Sequence, residues 1–172
     1  MKPLLTPTAV ETLRTMRQAL EDWVRPATQG SSAYSYATTV IALCHHVETR
    51  VELEGQQLFD EIARLRPLLS GAAEIMERHP RGGAVAADIR QTLVRERDPQ
   101  VYPTLSATGD EVAQLRQHIC DVQDIIIAED EAGVASAEIK VLRADIRDYI
   151  GWQLDEQRKI VEPAFRGRGP RR

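Results

Sequence analysis

The sequence predicts an all-α protein: an up-down bundle of four helices with one additional helix at the N-terminus. Three observations lead there. Apolar residues recur every three or four positions in almost every segment long enough to show a period. Gly and Pro sit between those segments, where linkers belong. No run stands apart as a strand, and even the β-branched "DIIIAED" at 124–130 continues a helical stripe.

The first helix is expected over about 7–25. Thr6 followed by Pro7 offers a capping side chain and a proline at the first helical position. Val10, Leu13, Met16, Leu20, Trp23 and Val24 follow at helical spacing, and Pro26 with "TQGSS" closes the segment. Ser32 can cap the second helix, expected over about 33–69 with the stripe Ala37, Val40, Ile41, Cys44, Val47, Val51, Leu58, Ile62 and Leu65. Gly55 is a place for it to bend, and a short helix over about 72–78 is expected to follow. The third helix is expected over about 84–98, with Ala86, Ile89 and Leu93 inward. It stops before Pro99, which disfavours helix in Asp98.

The fourth helix is expected to start at Thr108-Gly-Asp-Glu111, a capping-box pattern. Its stripe is Val112, Leu115, Ile119, Val122 and Ile126. The fifth starts near Ser136 and runs inward through Ile139, Leu142, Ile146 and Tyr149 or Ile150, then Gln153, Gln157 and Ile160 or Val161. The chain divides accordingly into an N-terminal helix and linker (1–30), a helical bundle (31–165) and a basic, disordered tail "RGRGPRR" (166–172).

A chain of 172 residues can bury a core without staples. The net charge of −4 does not suggest nucleic acid as a partner. No stretch approaches the ~20 apolar residues of a membrane span, and the N-terminus has no signal-peptide core. The two cysteines, Cys44 and Cys120, form no zinc or redox motif. These features make the cytoplasm the expected compartment.

The fifth helix carries an anomaly. Its inner stripe turns polar at Gln153 and Gln157, four residues apart and so on one face. Leu93 on the third helix is followed one turn later by Arg97. The second helix offers Glu48 and Glu54, with His45 and His46 beside them, and the fourth offers His118 at its stripe's edge. These residues predict a polar layer inside the bundle, built from Glu54, Arg97, His118, Gln153 and Gln157. Each taken singly also suits a boundary position.

Two stretches, "LVRERDPQVYPTL" (93–105) and "QLDEQRKIVEPAF" (153–165), end alike in Pro-x-[Leu/Phe], and "QLRQHICDV" (114–122) places a His soon after an Leu-Arg pair. Together they resemble the hemerythrin-like (HHE cation-binding) domains, four-helix bundles that hold a di-iron site. The resemblance covers roughly 33–165 and reads both proline stretches as helix ends. It implies His at the positions of Leu93 and Gln153, and Glu at those of Arg97 and Gln157. Only His118 matches a ligand position. The resemblance therefore implies a bundle that has lost its di-iron centre, with Arg97 in the place of the metal charge, paired to Glu54 or Glu48.

Three functions follow as expectations. The first is a non-catalytic accessory or interaction protein, with no cofactor and with a protein partner or a second copy as its target. The second is an iron or zinc protein in oxygen or redox sensing, using His45, His46, Glu48, Glu54 and His118. The third is a small-molecule binder that uses the polar layer. No Ser/His/Asp set, phosphate loop or close carboxylate pair points to an enzyme.

Overall fold

The structure, a computed structural model, describes residues 7–95, 102–134 and 136–165. These are helical with no strand among them. The helices are α1 (Ala9–Ala19), α2 (Ala33–Arg78), α3 (Gly83–Leu93), α4 (Leu105–Glu131) and α5 (Ala137–Phe165). The expected Thr6 cap, Arg97 and the basic tail lie outside the described residues. Contacts gather the chain into two compact units, Met1–Gly55 with Asp155–Arg172, and Gln56–Leu154.

In the first unit, α1 begins two residues later than expected. Thr8 is its cap, accepting from the Glu11 amide while the Glu11 side chain accepts from the Thr8 amide. That reciprocal pair satisfies two orphan donors, which Pro7 cannot match. The helix does not stop before Pro26 either. It passes through a π segment, Leu20–Val24, into a last turn, Arg25–Ala27. Pro26 lacks an N–H and crowds the carbonyl four residues back, and the wider π turn accommodates both.

Helix α2 is unbroken from Ala33 to Arg78. No break falls at Gly55, and 72–78 is its last two turns, not a separate helix. It even contains Pro67. Burial explains this continuity: Leu65, Leu69, Ala72, Ala73 and Met76 are all in the core, and packing outweighs the propensity cost of single residues. At the following turn a side chain on Gly82 would put a Cβ 2.3 Å from the Met76 carbonyl oxygen, so only glycine fits that approach.

The second unit holds one core. It is built from Ile62 to Met76 of α2, Ala86 and Ile89 of α3, Val112 to Ile126 of α4, and Ile139 to Tyr149 of α5. The predicted stripes of α4 and α5 are buried position by position as far as Tyr149. Two boundaries differ from expectation. Helix α3 ends at Leu93, where Arg66 donates to the carbonyls of Leu93 (3.1 Å) and Arg95 (3.2 Å) and to the Glu111 carboxylate (3.1 Å). A guanidinium from another helix thus satisfies the open C-terminal carbonyls.

Helix α4 starts at Leu105, not at Thr108. Thr104 caps it through the Ala107 amide at 3.1 Å, and Thr108 is a buried residue within its first turn. Pro103 therefore stands just before a helix start. Pro163, its counterpart in the second proline stretch, lies inside α5. The two prolines thus take different places: α3 has already ended at Leu93 ahead of Pro103, whereas Pro163 is within the last turn of α5, which ends at Phe165. The start of α5 agrees with the sequence: Ser136 accepts from the Ile139 amide at 3.2 Å.

Candidate functional site

Apart from Thr108, which bonds back to the Thr104 carbonyl, the buried polar residues of the second unit fall in two clusters. The larger joins α2, α4 and α5. Glu61 on α2 is buried and accepts two hydrogen bonds from the Arg116 guanidinium on α4, each 2.7 Å. The Tyr149 hydroxyl on α5 donates to the same carboxylate at 2.6 Å. Gln153, one turn further along α5, turns its amide oxygen to Arg116 at 2.9 and 3.0 Å. The fork of an arginine matches a carboxylate edge, so both partners are held in one geometry.

The electrostatics follow from this closure. The bond to Glu61 holds the Arg116 guanidinium even more firmly protonated than usual. Burial, and then the bond to Glu61, pushes the Tyr149 hydroxyl well above the ordinary tyrosine range, so it stays a donor. Trp152 flanks the cluster, with its ring 6.3 Å from that of Tyr149 and the Arg64 guanidinium 5.2 Å from its own centre.

The smaller cluster contains His118. Its Nε2 lies 2.8 Å from the Thr92 hydroxyl on α3, and Gln114 donates to that hydroxyl at 3.3 Å. The His118 Nδ1 has no hydrogen-bond partner among the described residues and sits 3.8 Å from Asp121.

The sequence-predicted residues are placed as follows. His118 and Gln153 both belong to the second unit, in these two different clusters. Gln157 is exposed. Glu54 pairs with Arg50, one turn before it on α2. Glu48 is buried against Arg17 of α1 at 2.9 Å, which also reaches Glu21. His46 packs its ring 5.5 Å from Phe165, and His45 is half-buried beside it. The expected pairing of Arg97 with Glu54 or Glu48 rests on a residue outside the described ones, and both carboxylates have the other arginines as partners.

These residues do not fit a di-iron centre. Leu93 offers no ligand atom, Gln157 faces solvent, and Gln153 faces a fixed guanidinium cation that would oppose a metal pair. Among the described residues, no three His, Cys, Asp or Glu side chains are gathered to hold a metal ion. Glu61, Arg116 and Thr92 were not singled out in the sequence, and Tyr149 was read there only as a candidate for the inner apolar stripe. Glu61 and Arg116 had a visible signal, since each falls at helical spacing between core residues.

The first unit presents a different kind of site. Residues 26–47 contain no Asp, Glu, Lys or Arg. At the chain average of 28% charged, such a stretch would hold about six. Within it, Tyr36 (72% exposed), Val40 (43%), Leu43 (47%) and Val47 (41%) are open to solvent, and Val51 (49%) continues them. At 100° per residue these five side chains fall within an arc of about 80°. Ser35 and Thr39 turn their hydroxyls back to the carbonyls of Ser32 and Ser35, each at 3.0 Å. The other side of this segment is covered: Ala37, Ile41, Cys44 and Glu48 are buried.

Beside the seam, Tyr34, Ser35, Thr38, Thr39, Ala42 and Phe165 line a groove of about 430 Å³ with no charged wall. Helix α1 and the π segment after it bury no residue fully and leave Met16 and Trp23, a heptad apart, exposed. Among the described residues, no helix is long and apolar enough to cross a membrane. The chain matches no family model, no curated protein and no solved structure.

Proposed function

We propose that this protein is a non-catalytic, hemerythrin-like up-down four-helix bundle, extended by α1, that works by binding another protein chain through the open face of α2. The observation that carries this reading is the uncharged, exposed seam of Tyr36, Val40, Leu43, Val47 and Val51. Soluble surfaces of this size are normally broken by charge, and interface centres are depleted of charge and enriched in aromatic residues. Met16 on α1 and Trp23 in the π segment that follows add exposed apolar surface in the same unit.

The Glu61–Arg116–Tyr149 cluster has a structural role in this reading. A di-iron bundle needs carboxylates and imidazoles turned inward. Here Glu61 is neutralised by Arg116 and further bonded by Tyr149, so both oxygens of that carboxylate already have donors. The hemerythrin-like reading is supported by the buried polar groups that α2, α3, α4 and α5 carry between their core residues, His118 of α4 among them. It is not supported by the proline stretches, which play different parts in α4 and α5.

The test is a photo-reactive benzophenone side chain placed at position 40, with position 141 on α5 as the exposed control. The expected result is a crosslinked product at 40 and none at 141. Equal yields at the two positions, or none at either, would overturn the interaction reading.

A further inference from the structure

We infer that the chain seated on the α2 seam is a second copy of this protein, its α2 helix running antiparallel to the first. The inference rests on the interaction reading above and names its partner. Three features of the seam argue for it. The first is length: Tyr36 to Val51 spans about 22 Å along the helix axis, with apolar residues spaced by four, three, four and four. That is the near-heptad spacing with which one helix packs along another.

The second is self-complementarity. A two-fold axis near Leu43 brings Tyr36 of each copy opposite Val51 of the other, and Val40 opposite Val47. One patch therefore serves as both halves of the contact, as an isologous dimer requires. The large Tyr36 ring at one end meets the smaller Val51 at the other.

The third is charge. Within residues 33–54 of α2 every charged residue lies in the C-terminal half, at 48–54, and of these Arg50 and Glu54 fall on the seam's own side while Glu48 and Glu52 pair with α1. In an antiparallel pair Arg50 and Glu54 come beside the 32–36 end of the second copy, which has no charge at all. Glu54 then stands near the positive N-terminal end of the opposing helix, where a carboxylate is favoured. A parallel pair would set Arg50 against Arg50 and Glu54 against Glu54, with opposed dipoles lost. A charged foreign helix would strand its charges on the uncharged half.

Sedimentation equilibrium of the full chain tests this. At tens of micromolar the expected mass is twice the 19.3 kDa of one chain. Replacing Val40→Glu together with Val47→Glu puts four carboxylates into the apolar seam and is expected to weaken association by at least ~100-fold. Both sites are exposed, so the helical circular dichroism of the variant should match that of the parent.

Direction is read in a Cys120→Ser background by mixing Tyr36→Cys chains with Val51→Cys chains under mild oxidation. The expected product is the mixed disulfide, with little from either chain alone. A Tyr36→Cys chain that crosslinks to itself overturns the antiparallel pairing. A parent that stays monomeric up to about 1 mM overturns the second copy altogether. If the benzophenone at position 40 then captures a protein of another mass, the interaction reading survives without this inference. If it captures nothing, both fall.

Discussion

Replacing Arg116 by alanine is expected to cost roughly 2–4 kcal/mol of stability, whereas Glu61→Gln costs about 1–2 kcal/mol. The asymmetry comes from exposure. The Glu61 side chain is 7% accessible and that of Arg116 is 40%. Without Arg116 the carboxylate stays in a dry site with the Tyr149 hydroxyl as its remaining bond. Without the charge on Glu61, the guanidinium can turn toward water. The figure for Arg116 lies below the ~3–5 kcal/mol of a fully buried pair because water screens its exposed part. In a chain of this size the loss corresponds to a fall in Tm of about 4–16 °C. Replacing both residues by leucine should recover most of the loss, since no charge is then left buried. Urea unfolding followed by circular dichroism measures all three. Equal costs for the two single changes would contradict a cluster in which the anion is the trapped partner.

Leu142→Ala on α5 is expected to cost roughly 2–5 kcal/mol, while Val141→Ala, one residue away, changes stability by less than about 0.5 kcal/mol. Leu142 is 2% exposed in the core of the second unit, and Val141 is 60% exposed. Truncating the first removes three carbons from a close-packed site and leaves a void. Truncating the second leaves water where water already was. Thermal melts of the two variants side by side give the comparison. Similar losses for both would mean that α5 faces the core with a different side.

Much of this could be read from the amino acids. The α4 stripe Val112, Leu115, Ile119, Val122 and Ile126 is wholly buried, because a 3.6-residue period leaves little freedom once a helix packs. Ends were harder, since they depend on distant groups. Arg66 of α2 closes α3, 27 residues away, and the burial of Thr108 draws the start of α4 back to Thr104. Glu61 stands three residues after Leu58 and four before Leu65, and Arg116 four after Val112 and three before Ile119. Both signals were present, but a charge within a stripe reads as its edge until its partner is known. That partner is 55 residues away.

The α2 face shows the same limit. Ala37, Val40, Ile41, Cys44, Val47 and Val51 form one broad apolar stripe in the sequence. Helix α1 divides it by setting Arg17 on Glu48 and Arg14 near Glu52, on the flank that carries Ala37, Ile41 and Cys44. Val40, Val47 and Val51 are left open. Which half is covered depends on where α1 lands, and no local pattern in α2 encodes that.

Hydroxyl-radical footprinting of the tyrosines, across protein concentrations that span association, tests the claim that the α2 face is the working surface. Tyr36 (72% exposed) lies in the seam, and Tyr102 (86% exposed) belongs to the other unit and serves as the internal reference. The expected result is that oxidation of Tyr36 falls several-fold relative to Tyr102 as the seam becomes occupied. Tyr36 remaining as reactive as Tyr102 at every concentration would contradict the account.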